Sequence, residues 1–400
     1  MSRLRTLLTI NKNGKRVYRE YSKSFTFHFM EALYVCHANI LTGVPLTGVT
    51  DVMGCSRTID GDSLDTATYT IYAKNTLALD APSGSGTVHA LDGSNRSPWR
   101  TQLLSGHQFG IVLGTDATAV TPTDSRLVNQ VFHGVGATVA DASRESQTLE
   151  NTDTAPPAID GSIYGIAFSP ARSMYMTRID FKTFRTGNPG NVTANVVGLT
   201  QLGASTITDN TILGTSNVVN ANLWGAASPG ALATFTFATP VLLQKGFLYF
   251  IYINGRTTAG NLTNIRTYNA LLYAGGLLSR SGGAGTSLTT SGLLSYYPVY
   301  DIWGTSPAEM EYGGTSIYGR DTADPNDSFN ISRIFRNNSG ESIEINECGI
   351  YVPVSRYIAS VTNWSLNNYV VCAARDVIAP HIDVADGENI EVIYTPSITV

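Results

Sequence analysis

Phe329-Asn330-Ile331-Ser332-Arg333-Ile334-Phe335 is followed by Arg336-Asn337-Asn338-Ser339-Gly340, and then by Ile343 and Ile345. Phe329, Ile331 and Phe335 share one face of the run, and the alternation resumes beyond a polar, glycine-ended turn. Successive side chains of a strand leave opposite faces of a sheet, so a period of two marks a half-buried strand. The segment therefore reads as a β-hairpin. A second β-branched segment closes the chain, Asn389-Ile390-Glu391-Val392-Ile393-Tyr394 and Ser397-Ile398-Thr399-Val400, bounded by Gly387 and Pro396. Both belong to a compact β domain whose remaining strands must lie upstream.

Cysteine and charge placement point to where. Cys36 and Cys55 are early, Cys348 and Cys372 late, with none between. Residues 152–306 carry eight Lys/Arg against five Asp/Glu, which leaves the flanks 18 of the 26 basic and 26 of the 31 acidic residues. This partition predicts one discontinuous β-sandwich domain, residues 1–150 plus 307–400, interrupted by a β domain of the jelly-roll type at 151–306. The fold class expected is mainly β, with two sandwich or jelly-roll domains.

Composition agrees with that class. Four hundred residues exceed the usual single domain, so each part can bury its own core. Only 14 % of residues are charged, against about 25 % in ordinary globular domains. Gly, Ser, Thr, Asn and Tyr favour turns and strands over helices. A net charge of −5 argues against sequence-independent nucleic-acid binding, which needs a basic footprint. No apolar run is long enough for a membrane-spanning helix. Leu4–Ile10 is too short for a signal peptide and runs into Asn13-Gly14, so it reads as a strand and turn.

One short N-terminal helix is expected over residues 22–38, with Ser24 as cap and Phe25, Phe29, Leu33 and Cys36 at helical spacing. Strands follow at 49–59, 67–73 and 109–113, and residues 143–160 with Pro156-Pro157 read as the linker into the insert. Within the insert, 179–184 and 192–196 flank a turn at Gly187-Asn188-Pro189-Gly190. Ala233, Phe235 and Phe237 alternate with threonines, and Phe247, Tyr249, Ile251 and Ile253 form another strand. Strands at this spacing suit a sandwich or jelly roll.

The flanks carry a resemblance. Gly110-Ile111-Val112-Leu113-Gly114-Thr115-Asp116, running on to Asp124, Leu127 and His133-Gly134, resembles a segment of tailed-bacteriophage virion proteins. So do Val49–Thr58, Ile331–Gly340, Asn346-Glu347-Cys348-Gly349-Ile350-Tyr351, Ala373-Ala374-Arg375-Asp376-Val377 and the final strand. The likeness covers roughly half the chain. The insert, through Trp224 and the run from Ala233 to Tyr249, looks like a carbohydrate-binding jelly-roll module. The resemblance implies a structural protein on the exterior of a tailed-phage virion, as a head decoration, collar or tail appendage. Its implied partners are other virion proteins and sister subunits, as a trimer or higher homo-oligomer. The alternative it implies is a host-receptor protein binding surface glycan through the insert.

Chemistry is sparse. The six histidines, His28, His37, His89, His107, His133 and His381, form no HxH or HExxH pair. No nucleophile elbow, P-loop or dinucleotide fingerprint occurs in context, so neither an enzyme nor a cofactor is expected. The cysteines lack zinc spacing and read as reduced, buried thiols, with a disulfide between the flanks as the alternative. Asp321-Thr322-Ala323-Asp324-Pro325-Asn326-Asp327 offers oxygen ligands for calcium without a regular loop spacing. Trp224, Tyr268, Tyr273, Tyr296 and Trp303 are the residues expected to stack on sugar rings, because a flat apolar face suits a pyranose.

Overall fold

The computed structural model describes residues 3–22, 25–27, 46–59, 109–148, 163–168, 170–199, 211–226, 230–245, 247–254, 261–269, 277–282, 287–289, 296–321, 326–359 and 364–399. Among these residues it is mainly β, with no helix of seven or more residues and none able to cross a membrane. The described residues fall into two compact units: a central one, Val139–Ser306, and a terminal one, made of residues up to Thr138 and from Pro307 onward.

The terminal unit begins with β1 (Arg3–Lys12), β2 (Lys15–Tyr21), β3 (Leu46–Thr50), β4 (Ser56–Ile59), β5 (Gly110–Gly114) and β6 (Gln130–His133). The central unit holds β7 (Val139–Gln147), β8 (Ile163–Phe168), β9 (Met174–Thr186), β10 (Asn191–Leu199), β11 (Ile212–Thr215), β12 (Val219–Asn220) and β13 (Ala231–Leu243). It continues with β14 (Leu248–Asn254), β15 (Leu262–Ile265), β16 (Thr267–Asn269), β17 (Leu277–Gly282), β18 (Ser287–Thr289), β19 (Tyr296–Pro298) and β20 (Tyr300–Ser306). The chain then returns through β21 (Glu309–Tyr312), β22 (Ser316–Asp321), β23 (Asn326–Arg336), β24 (Ile343–Ala359), β25 (Trp364–Val384) and β26 (Asn389–Thr399).

The terminal strands run in the order β2-β1-β26-β23-β21-β6-β5-β24-β25, with β22 on β23. This sheet is nearly closed. Its two ends approach through side chains: the Lys12 ammonium of β1 donates to the Asp383 carbonyl of β25 at 2.7 Å, and Ser22 donates to Asp376 at 2.8 Å. Asn13 and Gly14 take positive φ, 49° and 77°, as a two-residue turn matched to strand twist requires. Leu8, Ile10, Ile111, Leu113, Ile345, Ile390 and Val392 are buried inside, each worth about 1.5–3 kcal/mol relative to exposure.

One feature differs from the sequence reading. The run 329–335 does not form a hairpin with Ile343 and Ile345, because β23 pairs with β26 and β22 while β24 pairs with β25 and β5. The helix expected over 22–38 falls mostly outside the described residues. Phe25 forms an isolated bridge with Ala374, and the Thr26 N–H donates to the Ala373 carbonyl at 3.0 Å, so these two residues run extended beside β25, ahead of the helical Phe27.

Within the terminal sheet, among the described residues, every pairing is antiparallel except β21 with β6, at Glu309↔Phe132 and Met310↔His133. Parallel neighbours need a long crossover, and here the intervening chain is the central unit. Its two connections are tied together on the terminal side. Glu309 N–H donates to the Gly136 carbonyl at 2.8 Å, and Gly136 N–H donates to the buried Glu309 carboxylate at 3.0 Å. β7 lies ahead of the boundary expected at 151 and pairs with β20 in the central unit.

The central unit has two main sheets, β11-β10-β14-β8-β17-β18 and β13-β9-β20-β7, and is sandwich-like. The Gly187–Gly190 turn carries the chain from β9 in one sheet to β10 in the other. Ile179, Phe181, Phe235 and Ile302 of the second sheet are buried, as are Ala194, Val196, Tyr249 and Ile251 of the first. Phe181 and Phe235 meet edge to face with centroids 6.3 Å apart.

Candidate functional site

The sheet β13-β9-β20-β7 has a second face. Along β20, Tyr300, Ile302, Gly304 and Ser306 are buried while Asp301, Trp303 and Thr305 are half-exposed. Alternation therefore turns Asp301 and Trp303 away from the core. Register places Asp301 opposite Asp180 of β9 and Ser146 of β7, and Asp180 opposite Thr234 of β13. The next row sets Trp303 opposite Arg178 and Ser143, and Arg178 opposite Thr236. Two rungs thus read hydroxyl, carboxylate, carboxylate, hydroxyl and hydroxyl, indole, guanidinium, hydroxyl.

Like charges directly opposite destabilise a sheet, and Arg178 offsets this. Its guanidinium lies 3.9 Å from the centroid of the Trp303 ring, a cation–π contact, and its Nε is 3.3 Å from Asp180 Oδ2. Ser143 donates its hydroxyl to Asp301 Oδ1. Three atoms are left over, one of them Arg178 Nε, whose contact with Asp180 is an ion pair without hydrogen-bond geometry. Asp180, 6 % exposed, has a buried Oδ1 with no hydrogen-bond partner, and the buried Trp303 Nε1 has none either. Chemically the face can hold a ligand that both donates and accepts hydrogen bonds.

The aromatic residues singled out by sequence are not brought together here. Trp224 packs edge to face on Phe235 at 6.3 Å, on the core side of the same sheet from which Trp303 points away. Tyr268 and Tyr296 lie on the paired strands β16 and β19, and Tyr273 lies outside the described residues. Arg178 and Asp180 were missed; the signal was available as alternation in Thr177-Arg178-Ile179-Asp180-Phe181, but the register to β20 was not.

Glu145 of β7 sits opposite Ile302, a core position. Burial pushes its carboxyl up to about 7, and the Ala171 N–H pulls only partly the other way. An acid whose folded value is raised favours the folded state most below its ordinary range, and that contribution is lost as pH rises through about 7. The melting temperature of the central unit should therefore fall between pH about 5 and about 8, and Glu145→Gln should flatten the fall. Identical pH profiles for the two proteins would reject this.

The terminal unit concentrates polar groups differently. Arg375, fully buried, donates Nε to Glu347 at 2.7 Å, Nη1 to Asp124 at 2.7 Å and Nη2 to the Thr118 carbonyl at 2.9 Å. Glu347, also fully buried, accepts from the Asn129 N–H at 3.0 Å, and the Tyr351 hydroxyl accepts from the Leu127 N–H at 2.8 Å. Burial alone would raise the Asp124 carboxyl, but bonds from Thr121 and Arg375 outweigh it and hold the group below its usual range. Arg333, buried on the face of β23 that begins with Phe329, donates to the Phe109 and Ile111 carbonyls at 2.8 Å. Segments 110–134, 346–351 and 373–377 are thereby locked to one another.

Metal chemistry has one geometric candidate among the described residues. Glu344, His381 and Asp383 are exposed, with ligand atoms within 4.8 Å of one another, and could hold a divalent cation; the Lys12 ammonium, bonded to the Asp383 backbone carbonyl, is a positive charge nearby. Of the predicted calcium loop, Asp327 is bonded to Arg320 at 3.1 Å, Asp321 lies opposite Ser328, and 322–325 lie outside the described residues. Cys348 and Cys372 are buried free thiols and Cys55 is buried, whereas Cys36 lies outside the described residues. Burial pushes the Cys348 and Cys372 thiols up, which makes them poor nucleophiles. No protein-family model matches the chain, and no curated protein matches it.

Proposed function

We propose that this chain is a non-enzymatic structural component displayed on the exterior of a tailed-bacteriophage particle. The terminal unit anchors it to the particle or to sister subunits, and the central unit, of jelly-roll type, is carried outward. The observation behind this reading is the Arg375 network. Three of the segments that resemble virion proteins, 110–134, 346–351 and 373–377, are joined by this buried cluster, the first more than two hundred residues from the other two. Buried thiols and buried ion pairs are features of a scaffold and supply no reacting group. Surface burial and repetition on a symmetric particle convert weak contacts into avidity, which suits a trimer or higher oligomer.

The test is location. An antibody raised against the full chain, gold-labelled and applied to tailed particles purified from producing cells, should decorate intact particles. The chain should also co-sediment with them. Unlabelled particles, with the chain left in the soluble fraction, would reject the assignment.

A further inference from the structure

We propose that the outer face of β13-β9-β20-β7 is a carbohydrate-binding site, with Asp180 and Trp303 sharing one sugar hydroxyl. This goes beyond the particle assignment and does not depend on it. Buried polar atoms without partners are rare in folded proteins, because each forfeits its hydration. Here an acceptor, Asp180 Oδ1, and two donors, Trp303 Nε1 and Arg178 Nε, lack hydrogen-bond partners on adjacent rungs of one face, with Arg178 touching both other side chains.

The chemistry of the missing group follows by comparison of charges. A cation would satisfy Asp180 but sit beside a guanidinium and leave the indole N–H unmet. An anion would satisfy the indole and the guanidinium but face two carboxylates, Asp180 and Asp301. A hydroxyl donates one hydrogen bond and accepts others, so it meets both atoms without charge. Serine and threonine hydroxyls at Ser143, Ser146, Thr234 and Thr236 flank the pair and can engage neighbouring hydroxyls of a polyol. The half-exposed indole of Trp303 offers the flat surface that suits the C–H face of a pyranose. Arg178 lies over that ring and is the side chain that must move to admit one. Water has the same donor–acceptor character and is the competing occupant.

Saturation-transfer NMR on the full chain separates the two. The probes are methyl glycosides of glucose, galactose and mannose, and N-acetylglucosamine, at millimolar concentration. At least one should bind. Trp303→Phe keeps a ring and removes the N–H, and Asp180→Asn removes the carboxylate. Each should weaken binding about tenfold or more, the loss expected for a hydrogen bond to a charged or buried group. Trp224→Phe, on the other side of the sheet, should bind as the parent does. Thermal melts check folding, and Trp303→Phe decides the matter if Asp180→Asn does not fold. The proposal is overturned if no probe binds the folded parent, which leaves water as the occupant. It is equally overturned if a folded Trp303→Phe or Asp180→Asn protein binds like the parent. Calcium stabilising the parent but not Asp180→Asn, with no sugar bound, would assign the carboxylates to a cation instead.

Discussion

Arg375→Met should destabilise the terminal unit by about 3–5 kcal/mol, the range for removing one partner of a buried ion pair. Three bonds converge on a guanidinium with no exposed surface. Without it, Glu347 remains as an unpaired charge in the interior, and the 115–129 loop loses its tether at Asp124 and Thr118. The double replacement Arg375→Met with Glu347→Leu should cost less than the sum of the single ones, by about 1–3 kcal/mol, because no charge is then stranded. Urea unfolding at neutral pH measures each. A single variant within about 1 kcal/mol of the parent would show that the network contributes little. Acid supplies a cross-check. Asp124 has a lowered folded pKa, so its contribution is present above the ordinary carboxylate range and lost as pH falls through the folded value. Arg375→Met should blunt that loss.

Removing residues 139–306 and joining Thr138 to Pro307 through a short Gly/Ser link should leave the terminal unit folded. Gly136 and Glu309 already share a backbone hydrogen bond of 2.8 Å, so the link closes almost no distance and its entropic cost is small. The expected result is one cooperative melt, and loss of whatever sugar binding the parent shows. A shortened protein that stays unfolded would mean that the terminal unit needs the central one.

The β class was legible because period-two alternation is local, as in Phe329–Phe335 and in Ala233, Phe235 and Phe237. Partner choice was not. β23 faces its neighbours through contacts with β26, more than fifty residues on, and a turn at 336–342 looks the same whether or not its flanking strands pair. The long β24–β25 pair went unseen because Pro353, Arg356 and Asn367-Asn368 interrupt its apolar pattern. β26 runs through Pro396, which pairs with Thr6 of β1 but matches no residue in the β23 ladder, whose pairs stop at Ser397 and resume at Tyr394. That is where a strand tolerates a missing N–H.

The candidate face was half legible. Tyr300-Asp301-Ile302-Trp303 alternates clearly enough to put Trp303 and Asp301 together. Their meeting with Arg178 and Asp180 depends on a register between strands some 120 residues apart. Aromatic content alone grouped Trp224 with Trp303, and the sheet between them separates the two.

The parallel β6–β21 seam has a mechanical meaning. Both threads that tether the central unit reach the terminal sheet at one spot, Gly136 beside Glu309, near the middle of the strand order and away from its edges. A tug on the central unit would pull both strands at neighbouring points, and the load would spread to β5 on one side and β23 on the other. Neither edge strand, β2 or β25, would be the first to peel. A sheet rigged in this way bears tension as a rivet through the centre of a plate does.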